Sequence, residues 1–161
     1  MTADFASAWA ELESERAVLV EHVRSLGDQG RQPGVPGGLS PLATIEHLAR
    51  TEKMYQGWIE KAAASNGAGD PKPNFIYRMV RKRMHSAKAV PTTPGLTPAT
   101  DFDLDEAAGN WAQIRQVLES PLKQLAEAGR AFRHPVFGRM GADDYISLTR
   151  AHIHYHRQRM P

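Results

Sequence analysis

The chain has 161 residues, enough for one domain that buries roughly two thirds of the surface its unfolded form would expose. Its 20 basic and 18 acidic side chains leave a formal charge of +2, which gives no general electrostatic case for nucleic acid or an anionic membrane as partner. Cysteine is absent, so disulfides, thiolate metal sites and a cysteine nucleophile are excluded, and any metal must be held by nitrogen and oxygen.

The N-terminus, Met1-Thr2-Ala3-Asp4-Phe5, has no basic stretch ahead of an apolar core, and no segment approaches the roughly 18 apolar residues of a membrane span. A cytoplasmic location is expected. From Thr2 to about Leu26, the spacing of Phe5, Trp9, Leu12, Leu19, Val23 and Leu26 predicts an amphipathic helix that stops at Gly27, with Glu11, Glu13, Glu15 and Arg16 turned outward. Gly30 to Gly38, rich in glycine and proline, reads as a loop.

Ser40-Pro41 supplies an N-cap hydroxyl followed by proline at the first helical position, where a missing N–H costs nothing. The helix it opens carries Leu48, Tyr55 and Ile59 on one stripe and His47, Met54 and Trp58 on the adjoining one, and runs to about Ser65-Asn66-Gly67. Asp70-Pro71-Lys72-Pro73 precedes a short basic helix, Phe75 to His85, whose Arg78, Arg81, Lys82 and Arg83 read as a solvated face rather than a nucleic-acid site, because no aromatic stacking platform accompanies them. Val90 to Thr100, with three prolines, reads as an extended crossover.

Asp101 to Asp105 offers capping acids for a helix with Leu104, Ala108, Trp111, Ile114, Val117 and Leu118 on its stripe. Ser120-Pro121 is expected to kink or restart it toward Leu125, and Gly129 to stop it. Arg133 to Gly138 reads as a loop, and a last helix begins near Asp143. No segment sustains a period of two. Four substantial helices, one short extra helix and a long crossover predict an all-α four-helix bundle occupying residues 1–161 as a single domain, an architecture whose metal and ligand sites are built from facing helices.

The last helix carries three histidines in five residues. At about 100° per residue, His152 and His156 lie roughly 40° apart and one turn from each other, so both imidazoles can reach one ion, whereas His154 points nearly the opposite way. Tyr145, Leu148 and Thr149 continue the same stripe and place the pair on the buried face. A third ligand must come from another helix, and His47, beside the apolar stripe of the second helix, is the best candidate. Three neutral imidazoles leave positions open for water or substrate, as catalytic sites require. His154 is read as a surface or helix-packing residue and His134 as a loop residue, both outside the ligand set. Glu46 points about 100° away from its neighbour His47, which disfavours a supporting or general-base role, and Arg157 and Gln158 read as a solvated helix end in preference to a contact with an anionic substrate or a dimer partner. Trp9, Trp58 and Trp111 are assigned to core packing.

Leu42-Ala43-Thr44-Ile45-Glu46-His47-Leu48, the segment His134-Pro135-Val136-Phe137-Gly138 and the closing His152-Ile153-His154-Tyr155-His156-Arg157-Gln158 together resemble the DinB-like proteins, also called YfiT-like metal-dependent hydrolases. The family pattern of one histidine on the second helix and a His-x-x-x-His pair near the C-terminus falls on His47, His152 and His156. The resemblance implies a divalent metal, zinc or nickel, at one end of a four-helix bundle, and frequently a homodimer. Some relatives act as transferases or isomerases on low-molecular-weight thiols, so the activities implied are hydrolysis or thiol S-transfer on a small-molecule substrate. The alternative is a non-enzymatic, dimeric interaction module with a structural or vestigial metal site.

Overall fold

The computed structural model describes residues 2–86 and 103–161. Helix α1 spans Thr2–Ser25 and is followed by a 3-10 turn at Gly27–Arg31. Helix α2 spans Pro41–Ala64, α3 Phe75–His85, α4 Leu104–Ala128 and α5 Ala142–Gln158. Four long helices and one short one therefore form, and the chain is a helical bundle; the crossover expected at Val90 to Thr100 lies outside the described residues. Among the described residues no helix is long and apolar enough to cross a membrane.

The caps follow their local chemistry. The Ser40 hydroxyl accepts the Ala43 N–H at 3.1 Å and Pro41 opens α2, Asp103 accepts the Glu106 N–H at the start of α4, and Gly129 closes α4 at φ 63°, the left-handed region that glycine tolerates best. The core is the apolar stripe of each helix brought together: Phe5, Trp9, Leu12 and Leu19 from α1, Ile45, Leu48 and Ile59 from α2, Trp111, Leu118 and Leu122 from α4, and Tyr145, Leu148 and Ala151 from α5. α2 packs along α4, α1 lies against α4 and α5, and α3 covers α5.

Three local expectations are corrected. α4 runs continuously through Pro121 rather than restarting there. The carbonyl that proline leaves unbonded belongs to Val117, and the Val117 side chain is itself 41 % exposed, so the stripe of α4 runs through Arg115 instead and this flank of the helix is open to water. Glu13, expected to face outward, turns toward the bundle and binds Arg115.

The third correction is a small antiparallel sheet where only loops were expected. Strand β1 (Lys72–Pro73) pairs with β3 (Gly138–Met140), which pairs with β2 (Phe132–His134), with Arg139 opposite both Lys72 and Arg133. Gly138, at φ 83°, completes the β2–β3 turn. Asn74 ties this turn to α3, because its side chain accepts the Tyr77 N–H while donating to the Val136 carbonyl at 2.7 Å. The sheet thus fixes the connection between α4 and α5 against the end of α2.

Candidate metal centre

α2 and α5 bring the three predicted histidines to one point. His47 Nε2 lies 3.2 Å from His152 Nε2, and His152 Nε2 lies 3.0 Å from His156 Nε2. One ligand atom from each residue falls within 4.8 Å of the other two. His47 is buried, and the other two are partly exposed toward a cavity. His154, as expected, is exposed on the far side of α5, beside His85 of α3.

The donor set fits a metal. Tetrahedral coordination at zinc–imidazole distances of about 2.0–2.1 Å separates ligand nitrogens by about 3.3 Å, and one face of an octahedron by about 2.9 Å, so both observed spacings suit a single divalent ion. An imidazole nitrogen either carries a proton or presents a lone pair, never both, so His152 Nε2 cannot donate to one neighbour and accept from the other. One cation satisfies all three lone pairs at once. Burial, with the neighbouring His47 adding to it, pushes His152 down to about 3. Burial also pushes His156 well down, helped by His152, His47 and Arg159. Both rings are therefore neutral at ordinary pH, the state in which they ligate.

A family model described as the DinB superfamily matches residues 11–160. The chain belongs to the DinB superfamily. No curated protein and no solved structure matches it significantly. The three histidines of this DinB-superfamily chain line a cavity of about 680 Å³ bordered by α2, α3, α5 and the β2–β3 turn. Its walls are mostly apolar, with Leu39, Ile76, Val80 and Leu148 among them.

Part of the cavity wall is aromatic. His134, expected to be a simple loop residue, ends β2 and lines this wall. Its ring stacks on Phe137 at 4.3 Å and 19°, and stands edge-on to Trp58 at 4.9 Å. Trp58, assigned to the core by its stripe, is thus a cavity residue, unlike Trp9 and Trp111, which are buried. Burial lowers His134 to about 4.

Glu52 also borders the cavity and was missed by sequence reasoning. Its carboxylate accepts the Trp111 indole N–H at 2.9 Å, the Tyr145 hydroxyl at 2.9 Å, Arg115 Nη2 at 2.7 Å and also Arg115 Nε. Arg115 reaches on to Glu13 at 2.9 Å, so this buried network joins α1, α2, α4 and α5. Burial disfavours the guanidinium charge, but Glu52 more than offsets it and raises Arg115 above its ordinary value. With its lone pairs occupied, Glu52 is a structural anion rather than a base. The signal was present: Glu52 falls four residues after Leu48, and Arg115 four after Trp111, so each is a charge on an apolar stripe.

Proposed function

We propose that His47, His152 and His156 hold a divalent ion, zinc or nickel, and that the chain is an enzyme acting on a small molecule bound in the adjoining cavity. The observation that carries the reading is the convergence of three imidazole nitrogens at 3.0 and 3.2 Å on the wall of that cavity. Such an ion supplies Lewis acidity, which eases loss of a proton from a water or thiol at an open position.

The surrounding residues favour thiol S-transfer over hydrolysis. Among the described residues Glu52 is the only carboxylate lining the cavity, and its oxygens are engaged by Trp111, Arg115 and Tyr145. His134 accepts at Nδ1 from its own turn, which leaves it a donor at the other nitrogen. A nucleophile that needs little help from a base suits such a site, and a free thiol, at a pKa of about 8.5, releases its proton far more readily than water at about 15.7. A low-molecular-weight thiol is the co-substrate this reading calls for. It extends to a single-domain, cytoplasmic enzyme working as a homodimer.

The test is metal analysis of protein made without a histidine tag, parent against a His47→Ala, His152→Ala, His156→Ala variant. Near-stoichiometric metal in the parent and none in the variant is expected, and would be followed by assays of thiol transfer and hydrolysis. Little metal in the parent, even after reconstitution, would overturn the reading in favour of a non-enzymatic interaction module.

A further inference from the structure

His134 lines the cavity with its ring nitrogen Nδ1 engaged by its own turn. Its Nδ1 accepts two backbone N–H groups of its own turn, Val136 at 3.0 Å and Phe137 at 3.1 Å. A nitrogen that accepts carries no proton, so the neutral ring is held in the tautomer with hydrogen on Nε2. The turn is pinned from outside as well, because Asn74 donates to the Val136 carbonyl from its side chain and to the Phe137 carbonyl, at 2.9 Å, from its backbone. Reversing the tautomer would leave two N–H groups of a fixed turn facing an N–H. The ring lines the cavity between Trp58 and Phe137, with Tyr55 at 5.1 Å.

We propose that His134 is a specificity-determining residue, whose Nε2–H bonds an oxygen acceptor on a flat, aromatic or conjugated substrate held against Trp58, Tyr55 and Phe137. Three aromatic neighbours select a planar apolar body, since ring faces and edges reward stacked and edge-on contacts. A donor whose tautomer is fixed, set among ring faces, selects an uncharged or anionic oxygen, a ketone, ester or carboxylate, over a hydrocarbon of the same shape. The triad lines the same cavity, so a ligand anchored at His134 shares that space with whatever the three histidines hold. This inference rests on reading the cavity as the ligand site of the triad.

The test compares methyl naphthyl ketone with isopropenylnaphthalene, which has the same shape but no acceptor. Binding is measured by equilibrium dialysis with a chelator present, and zinc uptake is measured separately on the same protein. The parent is expected to bind the ketone about fivefold or more tightly than the hydrocarbon, the preference one net hydrogen bond supplies. In His134→Asn the amide oxygen takes the place of Nδ1 and keeps the turn, as asparagine does in Asx turns, while the distal donor is lost. The ratio of the two affinities should then fall toward one, whereas a merely structural role would shift both ligands alike. Nitrogen NMR of the parent should show the proton on His134 Nε2 from pH 6 to pH 8 and a shift of that signal as ketone is added, a readout that needs no variant.

A proton found on Nδ1, a parent without preference, or His134→Asn retaining the preference would each overturn the proposal. A parent that prefers the ketone but takes up no zinc supports this inference and removes the metal reading alone. A parent that takes up zinc but shows no preference overturns this inference alone.

Discussion

Glu52 and His47 stand five residues apart on α2, and both are buried, yet their polar atoms are treated in opposite ways. Around Glu52 every strong acceptor position meets a donor: an indole, a phenol and two guanidinium nitrogens. The Nε2 atoms of His47 and His156 instead face that of His152, and these nitrogens compete for the same few protons. The first cluster is complete within the protein and staples four helices. The second presents three imidazole nitrogens close enough together to hold one metal ion. Burial alone does not separate structural from functional polar groups; the balance of donors and acceptors does.

The largest effect expected from breaking this contrast is at the satisfied cluster. Arg115→Ala leaves the Glu52 carboxyl group buried and without its principal partner, and should cost about 3–5 kcal/mol or prevent folding. Urea denaturation of the variant reads this directly, and a loss below about 1 kcal/mol would mean that water or another cation replaces Arg115. Metal should not rescue the variant beyond what it gives the parent, since no histidine is touched.

At the triad the prediction is the reverse. His152→Ala should change metal-free stability little, because it removes a ring crowded against two others, but it should abolish stabilisation by added zinc. For the parent that stabilisation reaches about 2.7 kcal/mol at a hundredfold excess over the dissociation constant. His154→Ala, on the exposed face of α5, should leave both quantities nearly unchanged. Thermal unfolding of the parent and both variants, with chelator and with zinc, makes the comparison, and equal behaviour of the two variants would sink the assignment.

Acid should separate the clusters further. Folding lowers His134 to about 4 and His152 to about 3, mainly by burial, against about 6.5 in the unfolded chain. Between these values the unfolded chain binds protons that the folded chain does not, so the stability the two rings contribute is intact above about pH 6.5 and is lost as pH falls toward 4. Arg115, raised above its ordinary value, does not titrate in this window. The melting temperature should therefore be level from pH 8 to 7 and decline below about 6.5. A free imidazole would lose metal below about pH 6, but protons compete for His152 and His156 only in stronger acid, so part of the zinc-dependent increment should persist at pH 5.5. Calorimetry across this range with chelator and with zinc checks both statements.

The helices and the triad were legible because both rest on long periodic signals. A stripe repeated over 17 to 25 residues fixes a helix and its buried face, and two histidines four apart on such a stripe share a direction whatever the loops do. The sheet was not legible. Strands of two and three residues are too short to show alternation, and they form because Asn74 and the Val136–Phe137 turn hold each other. His134 was lost with them, for its place in the cavity depends on that turn. Glu52 and Arg115 were legible in principle as charges on apolar stripes, but their pairing across 63 residues of chain follows only from the packing of α2 on α4.

The smallest predicted effect concerns how the triad is held. Gly34 lies so close to the end of α5 that a Cβ built on it would sit 2.2 Å from the Arg159 carbonyl oxygen and 3.1 Å from the Met160 Cα. The loop before α2 therefore grips the backbone three residues after His156, and His22 reaches the Pro161 carbonyl oxygen at 3.1 Å from α1. Gly34→Ala must push this segment away, because its obstacle is backbone rather than a pliable side chain. The cost should be about 1 kcal/mol, the low end for overpacking, since the segment is at the surface and can move. Arg159 and Met160 also line the cavity, so the displacement should reach His156 and weaken zinc binding several-fold while leaving the Glu52 network intact. Zinc titration of the variant beside its urea denaturation measures the two effects together. Weakened zinc binding with nearly full stability would show that the triad depends on the tail as the Glu52 cluster does not, and unchanged zinc binding would show that α5 alone positions the histidine pair.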